Sequence, residues 1–304
     1  MKAVVLPAFG DASHLELRNV SDPSAGPKEL KVRMAGASLN PVDWKLRSGA
    51  LQARMPLELP AILGRDCAGT VVEVGKDVTG FKVGDRVMGL VNRGYAELVV
   101  AAAEAWAPVP PNLDLVDAGA LPLVLLTGAQ LIEEATKPRA GDALLVTGAL
   151  GSVGRVAVFV AKALGAKVWA GVRQKQKDEA EKLGADAVVA LDDEGEIAAL
   201  PELDCIADTV GGETIKKLLD KVKQGGTIGS VTGEPPGAKE RGLVVRAMLS
   251  HPDSKRLAEL GRAVAEGRLA VPIAKKLPLS AAAEAHRLAE KGGTGGKVVL
   301  VAAG

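Results

Sequence analysis

The residues best placed to do chemistry lie between Leu144 and Val172. They form an apolar strand, LLVT, a loop, GALGSVG, a helix, RVAVFVAKAL, and a second apolar strand, KVWAGV. An apolar run that breaks into Gly148, Gly151 and Gly154 and resumes as a helix closed by Gly165 has the form of a dinucleotide site. Gly151 lets the backbone come close to a pyrophosphate, and Gly154 lets the helix lie close to the first strand. Ser152 and Val153 belong to the same cofactor loop, and the N-terminus of the helix after it supplies free N–H groups and a positive dipole end to an anion. Ala149 stands where GxGxxG has its first glycine, so the strict pattern is AxGxxG. A structural turn between a buried strand and a buried helix also needs glycines. The flanking strands and Gly165 favour the nucleotide.

The end of the second strand bears on which nicotinamide cofactor fits. NAD sites place Asp or Glu about twenty residues past the loop, where it accepts from the ribose hydroxyls. Here the run is Val172-Arg173-Gln174-Lys175-Gln176-Lys177, with no acid before Asp178. Arg173 and Lys177 suit a 2′-phosphate, which a guanidinium meets with forked, charge-assisted hydrogen bonds. The alternative is a solvated basic first turn. NADPH is the expected cofactor, with NADH weaker.

Short strands and turns precede these elements. Leu30 to Ala37 alternates, Cys67 to Val74 is a strand, and Gly75-Lys76-Asp77, Gly80 and Gly84-Asp85 mark tight turns. That pattern predicts a mostly antiparallel domain up to about Leu115. A long helical stretch follows Asp114, and from Leu144 to Val231 strands and helices alternate: a helix over Lys175 to Leu183, a strand over Ala187 to Leu191, strands Asp204 to Thr209 and Thr227 to Val231, and a helix Glu213 to Val222 between those two. Repeated strand–helix units predict a doubly wound parallel sheet. Helices near Ser254 to Glu266 and Ser280 to Lys291 and a strand over Lys297 to Val301 complete the reading.

A chain of 304 residues, 47% hydrophobic, can bury the core of two domains. Its 38 basic and 37 acidic residues leave a net charge of +1, no field for nucleic acid or an anionic membrane. No apolar run reaches the roughly 18 residues of a spanning helix and no signal peptide opens the chain, so a cytoplasmic location is expected. Cys67 and Cys205, far apart in apolar runs, are expected to be buried reduced thiols.

Taken together, the chain resembles the medium-chain dehydrogenase/reductase superfamily, in its zinc-free quinone oxidoreductase and enone reductase branch. The residues that carry the resemblance are SLNPVDWK (Ser38 to Lys45), GRDCAGTVVEVG (Gly64 to Gly75), FKVGDRV (Phe81 to Val87), YAELVV (Tyr95 to Val100), LPLVLLTG (Leu121 to Gly128), the glycine loop, LGAD (Leu183 to Asp186), DTVGGET (Asp208 to Thr214) and GGKVVL (Gly295 to Leu300). The resemblance implies an α/β fold in which residues 1–115 and 268–304 make a GroES-like, mostly-β catalytic domain and residues 116–267 a Rossmann domain, with the active site in a cleft. It also implies NADPH-dependent hydride transfer to a small-molecule quinone or to the C=C bond of an enone. Alternatives are an enoyl reductase of acyl or polyketide chains and a crystallin-like or regulatory nucleotide-binding protein without turnover. A homodimer built through an apolar edge strand near Leu243 to Met248 is implied as well.

The same resemblance assigns roles by position. In zinc-dependent members similar to this chain a Cys would stand at Asn40 and a His–Glu pair at Arg65-Asp66. Asn is a poor zinc ligand, a guanidinium cannot coordinate, and a four-cysteine lobe is missing, so no metal is expected. Asn40 and Asp43 fall in the segment facing the nicotinamide; Asn-Pro-x-Asp is equally a helix start, with Asn40 as the cap. Lys45 either polarises an oxyanion or is a surface lysine. Arg65 either pairs with Asp66 or Asp43 or holds a substrate carbonyl. Thr127 either faces the nicotinamide or bonds back along its helix. Asp208 either caps a turn or meets ligand at a strand's end. Lys297 is assigned to cofactor binding. His251 and His286 read as surface or packing residues, and His14 has no supporting context.

Overall fold

The computed structural model describes residues 1–302, and the chain forms two compact units, Met1–Leu123 with Pro252–Gly304, and Val124–His251. The first unit is built on β1 (Lys2–Leu6), β2 (Glu16–Asn19), β3 (Glu29–Ser38), β4 (Ala61–Ile62), β5 (Asp66–Val74), β6 (Arg86–Leu90), β7 (Leu98–Ala102) and β8 (Trp106–Pro108). Alternation in β3 sends Leu30, Val32 and Met34 into a core shared with Cys67, Val71, Val87, Tyr95 and Trp106. Helix α1 (Pro41–Arg47) follows β3 directly. Pro41 opens it, where a missing N–H costs nothing. Helix α2 (Leu115–Ala118) and the start of α3 (Pro122–Gln130) end this stretch.

The second unit carries β9 (Ala143–Thr147), α4 (Ser152–Ala163), β10 (Lys167–Val172), α5 (Lys177–Ala180), β11 (Ala187–Ala190), α6 (Glu194–Ala198), β12 (Leu203–Asp208), α7 (Gly212–Lys216), β13 (Val222–Ser230) and β14 (Val244–Ala247). Its strands are parallel throughout and run β11-β10-β9-β12-β13-β14. The order therefore reverses beside β9, the switch point at which open parallel sheets bind ligands. Leu145, Ile206 and Ile228 from neighbouring strands build the core on one face of this sheet.

The chain then returns to the first unit with α8 (Ser254–Ala265), β15 (Ile273–Pro278), α9 (Ala282–Lys291) and β16 (Lys297–Val301). β16 pairs antiparallel with β3, Val299 opposite Ser38, so the last strand completes the sheet begun by the first hundred residues. Helix α8 joins the first unit, so the chain changes unit at 251/252, where the sequence reading drew the boundary at 267/268. Gly261 explains the seat of this helix: a Cβ there would lie 2.4 Å from Met88 Cε on β6.

Several helices are shorter than the sequence predicts. The stretch after Asp114 breaks at Gly119, where a Cβ would meet the Gly36 carbonyl oxygen at 2.2 Å, and α3 runs on into a π-helix over Leu131–Thr136. The helix expected over Lys175 to Leu183 is α-helical only in α5, flanked by 3-10 turns and stopped by Gly184 at φ 72°. The helix expected over Glu213 to Val222 ends at Lys216, because Val222 already pairs with Leu203 as the first residue of β13.

Candidate active site

The loop after β9 is shaped by distances that exclude side chains. Gly148 has φ +63°, and a Cβ on Gly154 would lie 2.2 Å from the Gly148 carbonyl oxygen and 2.8 Å from Ala149 Cα. On Gly151 the corresponding Cβ would meet only that same oxygen, at 3.1 Å. Gly151 is the N-cap of α4, and no side chain caps the N–H groups that Ser152, Val153 and Gly154 present. Ala149 is fully buried under the loop. Helix α3 lies against the first turn of α4, since a Cβ on Gly128 would come 2.8 Å from the Val153 carbonyl oxygen. Beside it, Thr127 is 7% exposed and its hydroxyl has no hydrogen-bond partner. The bond back along the helix is not made. A buried hydroxyl of this kind calls for a hydrogen-bond partner.

Asp208 ties the strand ends together. Its Oδ1 accepts from the Thr147 hydroxyl at 2.8 Å and from the N–H groups of Val210 and Gly211 at 3.2 and 2.9 Å. Its Oδ2 accepts from the hydroxyls of Ser230 at 3.0 Å and Thr232 at 2.8 Å. With both oxygens engaged and the residue fully buried, the carboxylate braces the ends of β9, β12 and β13. Among the two roles open to it, the structure displays the structural one.

At the tip of β10 the basic residues divide. Arg173 is exposed and its guanidinium has no partner among the described residues. Lys177 is half-buried and ion-paired with Glu196 at 2.6 Å. An acid does reach this tip, from the neighbouring strand: Asp192, just past β11, accepts from the Gln174 N–H at 2.7 Å.

In the first unit, the start of α1 is the centre of a buried polar cluster. Ser38, Asn40, Asp43, Asp66 and Tyr95 are all fully buried, and Lys297 is 6% exposed. The Asp43 carboxylate accepts the Asn40 N–H at 2.9 Å, which is half of a capping box. The Asn40 side chain does not cap the helix. Its Nδ2 donates to Asp66 at 3.3 Å and its Oδ1 accepts from Lys297 Nζ at 2.5 Å; Lys297 also donates to the Leu39 carbonyl at 2.8 Å. Asp66 accepts from the Ser38 N–H at 3.1 Å and from its hydroxyl at 3.0 Å. Burial pushes the Asp43 carboxyl up to about 7, helped by the charge of Asp66, and burial raises Asp66 as well. Burial lowers Lys297 against the pull of the two aspartates. The Tyr95 hydroxyl and the Asn40 N–H offset part of the rise at Asp43.

Arg65 is not the ion-pair partner of this cluster. Its guanidinium donates to Asn92 at 2.5 Å, and among the described residues it has no salt bridge to Asp43 or Asp66. Adjacent strand residues face opposite ways, so when Asp66 turns inward Arg65 turns out. Lys45 is exposed on α1. His286 is fully buried, its Nδ1 3.2 Å from Arg47 and its ring edge-on to Tyr95, so it is a packing residue; His251 is exposed at the end of the second unit, 3.1 Å from Glu134. His14 is partly exposed, 3.7 Å from Asp11. Cys67 and Cys205 are buried and free, with burial raising both thiols.

The donor sets decide which groups fit. Among the described residues no three His, Cys, Asp or Glu side chains gather as a metal ion requires, and Asp66 spends its oxygens on Ser38 and Asn40. A zinc ion does not fit these residues. A dinucleotide does, at the α4 loop with its uncapped N–H groups and the orphan Thr127 hydroxyl.

Comparison with known proteins agrees with this geometry. Residues 26–111 match the alcohol dehydrogenase GroES-like domain, and residues 183–300 match the family described as zinc-binding dehydrogenase. The fold and these matches define a member of the medium-chain dehydrogenase/reductase superfamily. Quinone oxidoreductase of Pseudomonas aeruginosa is 32% identical, over 98% of this chain and 99% of that one. The 2-methylene-furan-3-one reductase of Solanum lycopersicum is 32% identical, over 99% of this chain and 79% of that one. The crystal structure of Escherichia coli quinone oxidoreductase complexed with NADPH superimposes with a TM-score of 0.86 at 26% identity, covering 99% of this chain and 100% of that one. Within the superfamily, the chain belongs to the quinone oxidoreductase and enone reductase branch.

Ser38 and Tyr95 were legible only as members of motifs. Asp192 and Glu196 escaped because their partners, Gln174 and Lys177, lie 18 and 19 residues away in the turn and helix after β10, beyond any local period.

Proposed function

We propose that this chain is an NADPH-dependent reductase that delivers hydride to quinones or to the C=C bond of α,β-unsaturated carbonyls without a metal ion. The observation that carries the reading is the α4 loop, closed to any side chain at Gly154, uncapped at its N-terminus and flanked by the unpartnered Thr127 hydroxyl. These groups suit a pyrophosphate and the adjoining part of a dinucleotide, and the free guanidinium of Arg173 suits a 2′-phosphate. The relatives named quinone oxidoreductase and 2-methylene-furan-3-one reductase support the substrate class. The bound cofactor supplies the hydride.

On the substrate side the residues divide by exposure. Asn40 and Asp43 are sealed within the cluster, with Lys297 and Asp66 fixing which way the Asn40 amide points. Their role is to position the start of α1. Lys45 and Arg65 present charge outside it and are the groups proposed to meet the negative charge that develops on a carbonyl oxygen as hydride arrives. No metal is invoked, since charge stabilisation comes from these cations.

Steady-state kinetics test the reading. The wild type oxidises NADPH with a small quinone or an enone and keeps its rate in the presence of a chelator. Arg173→Asp raises the KM for NADPH about tenfold or more and that for NADH far less, the worth of one charge-assisted contact. Lys45→Met lowers kcat with little change in nucleotide affinity. An absence of turnover with every quinone and enone tried, despite nucleotide binding, overturns the reductase.

A further inference from the structure

Lys177 is held by a carboxylate that is itself immobilised. Glu196 Oε1 accepts from Lys177 Nζ at 2.6 Å while Oε2 accepts from the Ala190 N–H at 2.8 Å. The first turn of α6 is anchored in turn by Asp193, which accepts the Glu196 N–H at 3.0 Å. The ion pair and the backbone bond both hold the Glu196 carboxyl below its ordinary value, so it stays charged. These contacts lie beside the tip of β10, because Val172 pairs with Ala190 and the Leu191 N–H donates to the Val172 carbonyl at 2.8 Å. The tip carries three cations in sequence, Arg173, Lys175 and Lys177, and two acids reach it from beyond β11: Asp192, which accepts the Gln174 N–H, and Glu196. Among the described residues, Lys177 alone of the three has an ion-pair partner at contact distance.

We propose that Glu196 is a specificity-setting residue, which withholds Lys177 from the 2′-phosphate of a bound dinucleotide and leaves Arg173 to read it, so that the site prefers NADPH over NADH only modestly. The inference rests on the nucleotide reading above. Asp192 adds to the effect: a carboxylate fixed at the strand tip repels a phosphate and suits the free ribose hydroxyls of NADH. Releasing Lys177 requires only the charge of Glu196 to go. A glutamine keeps an acceptor for the Ala190 N–H and leaves the ammonium free.

The test is calorimetric titration with adenosine 2′,5′-bisphosphate and with 5′-AMP, which carry the adenosine end of each cofactor and need no turnover. Wild type binds the bisphosphate more tightly by a modest ratio. Glu196→Gln raises that ratio about threefold to fivefold, as expected when one partly exposed ion pair is released to a new partner. Lys177→Met combined with Glu196→Gln abolishes the gain, because the released ammonium is then missing. A ratio unmoved by Glu196→Gln, or a gain that survives in the double variant with Lys177→Met, overturns the proposal while the nucleotide site stands. Failure of the wild type to bind either nucleotide overturns that site and the proposal with it.

Discussion

Asp43 and His286 are displaced from their ordinary ionisation in opposite senses, and the consequences oppose one another. Burial, then the Arg47 charge, lowers His286 to about 3, so below its ordinary value of about 6.5 the unfolded chain takes up a proton that the folded chain refuses. Stability then falls by about 1.4 kcal/mol per pH unit as the pH drops through that window. Asp43, raised to about 7, keeps a proton that the unfolded chain has lost above about 3.8, so its contribution is lost as the pH rises from about 3.8 to about 7. Asp66, also raised, acts in the same sense as Asp43. The melting profile of the wild type between about pH 4.5 and 6.5 is therefore the difference between these opposing contributions. Asp43→Asn uncovers the histidine and melts earlier on acidification, while His286→Gln uncovers the carboxyl and melts earlier as pH rises. Parallel profiles for the two variants would show that one of these groups is not held as described. The sequence pointed to Asn-Pro-x-Asp as a helix start and to Asn40 as its cap. It could not show that Lys297, 257 residues on, takes the Asn40 oxygen and turns the side chain away from that cap, because no local period links them.

The elements were most legible where geometry leaves one residue type. At the α4 loop two glycines of one motif meet different surroundings: a Cβ on Gly154 has backbone at 2.2 and 2.8 Å, whereas on Gly151 it has one oxygen at 3.1 Å and the backbone φ of −66° is open to any residue. Gly154→Ala is expected to cost about 1–3 kcal/mol in urea unfolding, the usual toll of overpacking, and to abolish nucleotide binding. Gly151→Ala is expected to keep the fold and to weaken binding by crowding the pyrophosphate. Equal losses of stability in both variants would contradict the asymmetry. The helix interruptions were hidden for a related reason. Gly119 breaks the stretch after Asp114 against Gly36, a residue on a distant strand, and the π-helix over Leu131–Thr136 adds a residue per turn that a 3.6-residue period does not register. Thr136, at its end, lies so close to β13 that a Cβ on Gly229 would stand 2.4 Å from the Thr136 hydroxyl oxygen. Contacts of that kind decide where a helix stops, and they are absent from the sequence of the helix itself.

At the scale of the whole molecule, the arrangement of an antiparallel unit interrupted by a parallel one was readable from strand spacing, but the exit from the second unit was not. The amphipathic pattern of Ser254–Ala265 is the same whichever sheet the helix covers, and its packing against β8 and the seat of Gly261 on Met88 assign it to the first unit. The segment just before that exit bears on assembly. β14 pairs with β13 alone among the described residues, so its outer N–H and C=O groups are unpaired. Val244 at its start is 41% exposed and Leu249, two residues past its end, is 64% exposed. An apolar edge strand without a covering element invites a second copy of itself, and pairing about a two-fold axis closes both edges at once. Light scattering during size-exclusion chromatography is expected to give twice the chain mass at micromolar concentration. Val244→Lys, which puts a charge on the edge without touching either the α4 loop or the cluster around Asn40, is expected to shift the protein toward the monomer while nucleotide binding persists. A wild type that is monomeric at every concentration, or a Val244→Lys variant that remains as tightly associated as the wild type, would place the contact elsewhere than β14.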